Sequence, residues 1–180
     1  MPLMPASAPA TLQHDDIACR IPHQGSMCLL ERVTAWNAGQ ISCKASSHRS
    51  ATNPLRAYGR LGASCGVEYA AQAMAVHGAL VAEAQASVGG ASLAPQIGYL
   101  ASVRGVVLYA ERLDDISGSL TIDAERVSGD DSTILYGFTV HAGPALLLAG
   151  RAVVVLNAAG IILPGRAVHI EPGASAPQIL

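Results

Sequence analysis

Apolar positions follow two different periods along the chain. Between residues 65 and 84, Val67, Ala70, Ala71, Met74, Gly78 and Val81 recur at helical spacing, which predicts one long helix striped mostly with small residues. At about 1.5 Å per residue it runs about 30 Å, enough to fill the hollow of one strongly curved sheet. After the helix the period shortens to two. Residues 98–109 read as one strand, Leu120, Ile122 and Ala124 alternate with polar residues in the next, Ile134, Tyr136, Phe138 and Val140 alternate in a third, and 146–156 closes the series. Turns at 129–132 and 142–144 separate the later strands, so the pattern predicts an antiparallel meander.

Ahead of the helix, Asp15 and Asp16 before residues 17–21 predict a short helix stopped by Pro22. Residues 22–33 read as a turn running into a strand, Gly39 as the next turn, and 40–47 as a second strand. The stretch 47–64 is rich in Asn, Pro, Gly, Ser and Arg, which predicts a long irregular loop of the kind that often carries function. Residues 88–95 read as a flexible connection placed to act as a lid. The resulting division is a leader over 1–14, one domain over 15–157 and a tail over 158–180 that drapes on a neighbour or stays disordered. There is no internal repeat.

Composition narrows the partners. With 13% charged residues and a net charge of −2, the chain has no basic run to neutralise phosphates, which argues against nucleic acid and for a small or hydrophobic partner. One Phe and one Trp among 51% apolar residues imply an aliphatic, alanine-rich core. The most apolar run, 146–156, is cut by Gly150 and Arg151, so no membrane span is expected. Cys19, Cys28, Cys43 and Cys65 form no C-x-x-C pair and no metal-ligand spacing, and are expected to be reduced thiols. Residues 1–10 lack a basic and an apolar signal region, so a cytoplasmic setting is expected.

The helix carries few polar residues, so their angular positions are informative. Glu68 and Gln72 lie one turn apart on one face near the N-terminal end, where free N–H groups favour a bound oxygen anion. His77 falls on the opposite side and is expected to be a satisfied core or interface histidine.

Three pieces carry a family resemblance: Pro22-His-x-x-x-Met-Cys-Leu-Leu-Glu-Arg-Val33, Gln72-Ala-Met-Ala75 and Gly150-Arg-Ala-Val-Val-Val-Leu156. On these the chain resembles the beta-hydroxyacyl-acyl-carrier-protein dehydratases. With Asn53-Pro-Leu-Arg56, Gly59-Arg-Leu61 and Gly66-Val-Glu-Tyr-Ala-Ala-Gln-Ala-Met-Ala-Val-His-Gly78 it is most similar to the divergent dehydratase branch found in aryl polyene biosynthesis. The resemblance implies an α+β hot-dog fold, a curved antiparallel sheet wrapped around one long helix. It also implies a dimer with an identical or a different hot-dog subunit, and a substrate carried on the phosphopantetheine of an acyl carrier protein with no metal or redox cofactor. The main family's catalytic His and Glu fall at Arg60 and Gln72, and neither can serve: a guanidinium stays protonated and an amide does not ionise.

Dehydrating a 3-hydroxyacyl thioester to the trans-2-enoyl product needs a base for the proton alpha to the carbonyl, an acid for the departing hydroxyl, and donors for an enolate-like oxygen. Glu68 is the expected carboxyl group. His23 is the expected base, with His48 as second choice, and His and Glu can come from different chains of a dimer. Gln72 is assigned to hold the substrate hydroxyl, and the amides of Cys65, Gly66 and Val67 to receive the thioester oxygen. Arg49, Arg56 and Arg60 share one loop that contains no acid, which suits an acidic carrier protein and its phosphate. Two alternatives stay open: thioester hydrolysis with Glu68 activating water, and a non-catalytic partner subunit of a heterodimeric dehydratase.

Overall fold

The structure, a computed structural model, describes residues 11–89, 98–130 and 132–156. Strand β1 (Leu12–Gln13) leads into helix α1 (His14–Ala18), then β2 (Arg32–Trp36) and β3 (Gln40–Ala45). Helix α2 (Gly66–Gly89) follows, and β4 (Gly98–Leu108), β5 (Leu120–Gly129), β6 (Thr133–Ala142) and β7 (Ala145–Leu156) complete the domain. All seven strands join one open antiparallel sheet in the order β1-β2-β3-β5-β6-β7-β4, which with the single long helix is a hot-dog fold. Among the described residues no helix is long and apolar enough to cross a membrane.

Strand register explains how the sequence alternation becomes a core. Cys43 stands opposite Ile122, Ile122 opposite Val140 and Val140 opposite Leu148, a buried row across four strands on the helix side. One residue along, Ser42, Asp123, Thr139 and Ala149 form the matching row on the other face. Against the inner rows α2 buries Tyr69, Ala70, Ala73, Met74, Val76 and Leu80. The expected stripe is rotated from this face: Ala70 and Met74 are buried, while Val67, Ala71, Gly78 and Val81 are only half-buried along its flank. The larger Tyr69 and Leu80 offer more area to remove from water, and they set which side the sheet covers.

Gly66 is required where α2 begins, because a Cβ there would overlap Leu148 of β7. Ala improves helix propensity by roughly 0.5–1 kcal/mol, and overpacking costs about 1–3 kcal/mol. Gly66→Ala is therefore expected to lower the urea midpoint, and a raised midpoint would contradict this packing.

Three sequence expectations change. The meander holds for β5-β6-β7, but β4 pairs with β7 and forms the far edge of the sheet, while β5 pairs with β3. Alternation identifies strands without choosing their neighbours. Val88 and Gly89 belong to α2, and the rest of the expected lid lies outside the described residues, as do residues 1–10 of the leader and the tail 158–180. Within the leader's last residues, Leu12 pairs with Val33 and Gln13 with Arg32.

His77 is buried, with Nδ1 2.8 Å from the Tyr136 hydroxyl and Nε2 2.8 Å from the Asn37 carbonyl. A carbonyl only accepts, so Nε2–H donates to Asn37 and Nδ1 accepts from Tyr136. Burial pushes the His77 pKa down, against the Asn37 hydrogen bond. His48 is shifted down by burial too, against its hydrogen bond to Ile116. The unfolded chain therefore takes up protons first as pH falls, and the stability these neutral rings contribute is complete above about pH 6.5 and drains away below it. Denaturation midpoints are expected to fall from pH 7 to pH 5, and a flat profile would contradict two buried neutral imidazoles.

Candidate active site

The turn after α1 carries His23 to the start of α2. Gln24 fixes that turn, its Nε2 donating to the carbonyls of Ala18 at 2.9 Å and Ile21 at 3.2 Å. His23 Nε2 lies 3.1 Å from Glu68 Oε1, with 28% and 30% of the two side chains exposed, so the pair is open to a ligand while mostly enclosed. Both groups come from one chain. Nδ1 of His23 is buried and takes no hydrogen bond among the described residues, so Glu68 is the one polar group holding the ring.

Gln72 completes the constellation from underneath and is fully buried. Its Oε1 accepts from the Leu29 amide at 2.9 Å, which fixes the orientation of the side-chain amide. Its Nε2 therefore donates to Met27 O at 2.8 Å and to Glu68 Oε1 at 3.0 Å, using both hydrogens. Gln72 thus has no donor left for a substrate hydroxyl in this arrangement, because both are engaged by Met27 O and the Glu68 carboxylate. Oε1 of Glu68 faces both Gln72 Nε2 and His23 Nε2, and Oε2 takes no hydrogen bond among the described residues.

His48 stands elsewhere. It is fully buried, with Nε2 3.1 Å from Ile116 O and Nδ1 unpaired among the described residues, and it anchors the long loop to the segment after β4. Its second-choice role as base is not supported by that position. The loop is also tied to α2 by Tyr69, whose hydroxyl lies 2.9 Å from Ser47 Oγ and 3.0 Å from Asn53 Nδ2. Asn53 Nδ2 further donates to Ser47 O at 2.9 Å, and the Ser47 hydroxyl to Leu29 O at 2.7 Å.

The expected oxyanion donors are largely spent. A 3-10 turn over Ala63–Cys65 precedes α2, in which the Cys65 amide donates to Gly62 O at 3.0 Å and the amides capping the turn donate to the carbonyls of Ala63 and Ser64. The turn continues into the helix, so its carbonyls take up donors that an abrupt helix start leaves free. Val67 is half-buried against the core.

The arginine loop also differs from expectation. Arg49 donates to Ser117 O at 3.0 Å, and Arg56 to Ser50 O at 2.8 Å, Gly59 O at 3.0 Å and Asp114 at 3.1 Å. Asp114 also receives Arg112 at 2.6 Å and the Leu61 amide at 3.1 Å, and these donors, Arg112 foremost, hold its carboxyl well below the usual carboxylate range. The acid missing from the loop thus arrives from beyond β4. Arg49 and Arg56 are structural ties, while Arg60 is exposed with no side-chain partner among the described residues.

Residues 15–160 match a family model described as ApeP-like, ApeP dehydratase. The structure is similar to the dehydratase heterocomplex ApeI:P from Xenorhabdus doucetiae, with 19% identity over 77% of this chain and 89% of that one and a TM-score of 0.65. It also shares its fold with a thioesterase, HI1161, from Haemophilus influenzae, at 12% identity over 71% of this chain and 77% of that one, TM-score 0.51. A hypothetical thioesterase with coenzyme A from Streptococcus pneumoniae TIGR4 aligns at 11% identity over 69% and 84%, TM-score 0.50. No curated protein matches the chain. The family model spans most of the sequence, including both members of the His23–Glu68 pair, and the chain belongs to the ApeP-like dehydratase family.

Proposed function

We propose that this chain dehydrates a 3-hydroxyacyl thioester carried on an acyl carrier protein, as one subunit of a hot-dog pair. The observation that carries the reading is the 3.1 Å contact between His23 and Glu68 at the start of α2. The hydrogen lost from C2 and the hydroxyl lost from C3 sit on adjacent carbons, so acceptor and donor must also be neighbours. Starting with one proton on the pair, held by Glu68, His23 Nε2 takes the C2 proton while Glu68 protonates the leaving hydroxyl, which departs as water. The proton on Nε2 then returns to the carboxylate across their 3.1 Å contact, restoring the pair. Nδ1 is enclosed, so Nε2 is the nitrogen available to substrate.

Pairing with a second subunit fits the sheet. β4 has a neighbour on one side only, and Tyr99, Leu100, Val107 and Leu108 along it are exposed, as is Tyr109 just beyond its end. An open, apolar strand edge favours addition of another chain. The ApeI:P assembly is a heterocomplex, which supports a different hot-dog chain as that partner. Arg60 is the arginine of the long loop left to meet an acidic carrier.

The test supplies a 3-hydroxyacyl carrier thioester to the chain alone and to the chain with its ApeI-type counterpart. An unsaturated thioester that disappears with Glu68→Gln supports the reading. Release of free thiol would replace it with hydrolysis. A mixture whose activity is indifferent to Glu68 and His23 would make this chain a non-catalytic subunit.

A further inference from the structure

We propose that the outer face of the sheet docks back to back on a second copy of this chain through two reciprocal Glu125–Arg151 ion pairs, an inference independent of the dehydration proposed above. Strand register lays one row across five strands. Gln40 on β3 stands opposite Glu125 on β5, Glu125 opposite Gly137 on β6, Gly137 opposite Arg151 on β7, and Arg151 opposite Arg104 on β4. The first four lie two residues along their strands from Ser42, Asp123, Thr139 and Ala149, so they share the face turned away from α2.

The two halves of this face carry opposite charge. Asp123 and Glu125 sit two residues apart on β5, while Arg104 and Arg151 are direct cross-strand neighbours. Like charges placed so closely repel. Glu125, Arg104 and Arg151 are exposed, and none of the four makes an ion pair or side-chain hydrogen bond among the described residues. The acidic strand and Arg151 stand two strands apart, about 10 Å at the usual strand spacing, with Gly137 between them.

This arrangement selects its occupant. A partner of one charge is attracted by one half of the face and repelled by the other, whereas a second copy satisfies both. With a two-fold axis along β6, Glu125 of each copy comes over Arg151 of the other, and Gln40 over Arg104, which makes the contact isologous. Gly137, on the axis, carries no side chain, so the charged side chains on either side of it can reach across. Beside the ion pairs, half-buried Leu135 stands opposite Val153 and adds an apolar contact. Addition of a different hot-dog subunit along the β4 edge extends the sheet sideways and leaves this face uncovered.

The experiment measures self-association of the purified chain by sedimentation at low and high salt, with thermal melting as a check on folding. It compares wild type, Glu125→Arg, Arg151→Glu, the double reversal, and an equimolar mixture of the two single variants. Wild type is expected to associate, and each single reversal, which sets like charges face to face, to weaken association about 10-fold or more. The mixture and the double reversal should restore it, because opposite charges meet again. High salt should weaken the wild-type association. If a reversal lowers the melting temperature, the milder Glu125→Gln takes its place, and it too should weaken association. A wild type that stays monomeric, association indifferent to salt or to these substitutions, or a mixture no better than its components overturns the proposal. Acidic carrier protein bound by a monomeric wild type and lost with Arg151→Glu overturns it in favour of carrier docking.

Discussion

Glu68→Gln is expected to reduce dehydration by about 10²–10⁴-fold, the range for loss of a positioned acid–base group, while the chain stays folded. The substitution keeps an oxygen to accept from Gln72 Nε2, so the buried amide below remains satisfied. What it removes is the capacity to hold and release a proton beside His23. Circular dichroism and melting should match the wild type while the enoyl product falls to background. Retained turnover in this folded variant would exclude Glu68 as the acid.

Gln72→Glu has the second large effect, and its direction is counter-intuitive because it restores the residue type found in the main dehydratase family. A carboxylate at 72 loses both donors, and Met27 O, formerly at 2.8 Å, and Glu68 Oε1, formerly at 3.0 Å, face oxygen instead of N–H. Unpaired buried polar groups cost about 1–3 kcal/mol each, so a loss of about 2–6 kcal/mol at neutral pH is expected. Two adjacent carboxyls raise the pKa of one of them. The folded variant then binds more protons than the unfolded chain, so its deficit should grow as pH rises. Denaturation of wild type and Gln72→Glu at pH 5 and pH 8 measures this. A variant as stable as wild type, or one more active, would contradict the assigned amide orientation.

Local patterns were legible in the sequence, and partnerships distant along the chain were not. The period of 3.6 marked α2, and the spacing of Glu68 and Gln72 placed them on one face, where they hydrogen-bond. Alternation marked β5, β6 and β7, yet nothing local distinguishes β5 from β7 as the neighbour of β4. The stripe of small residues was visible, but larger Tyr69 and Leu80 decided which side the sheet buries. The arginine loop looked unpaired because its acid, Asp114, lies 58 residues from Arg56. Gln72 looked able to bind substrate because neither Leu29 N–H nor Met27 O leaves a trace in side-chain identity. The family pattern marked the site of the usual dyad as altered, at Arg60 and Gln72. It took the turn before β2 to bring an imidazole to Glu68.

The most direct test of the account is a double-mutant cycle on enoyl-thioester formation by the assembled subunit pair, comparing wild type, His23→Ala, Glu68→Gln and the double variant. Two groups that share one proton act as a unit, so each single variant should fall to nearly the floor of the double, with no further loss on combining them. Full turnover in either single variant, or losses that multiply as independent factors, would show that His23 and Glu68 do not perform the elimination together.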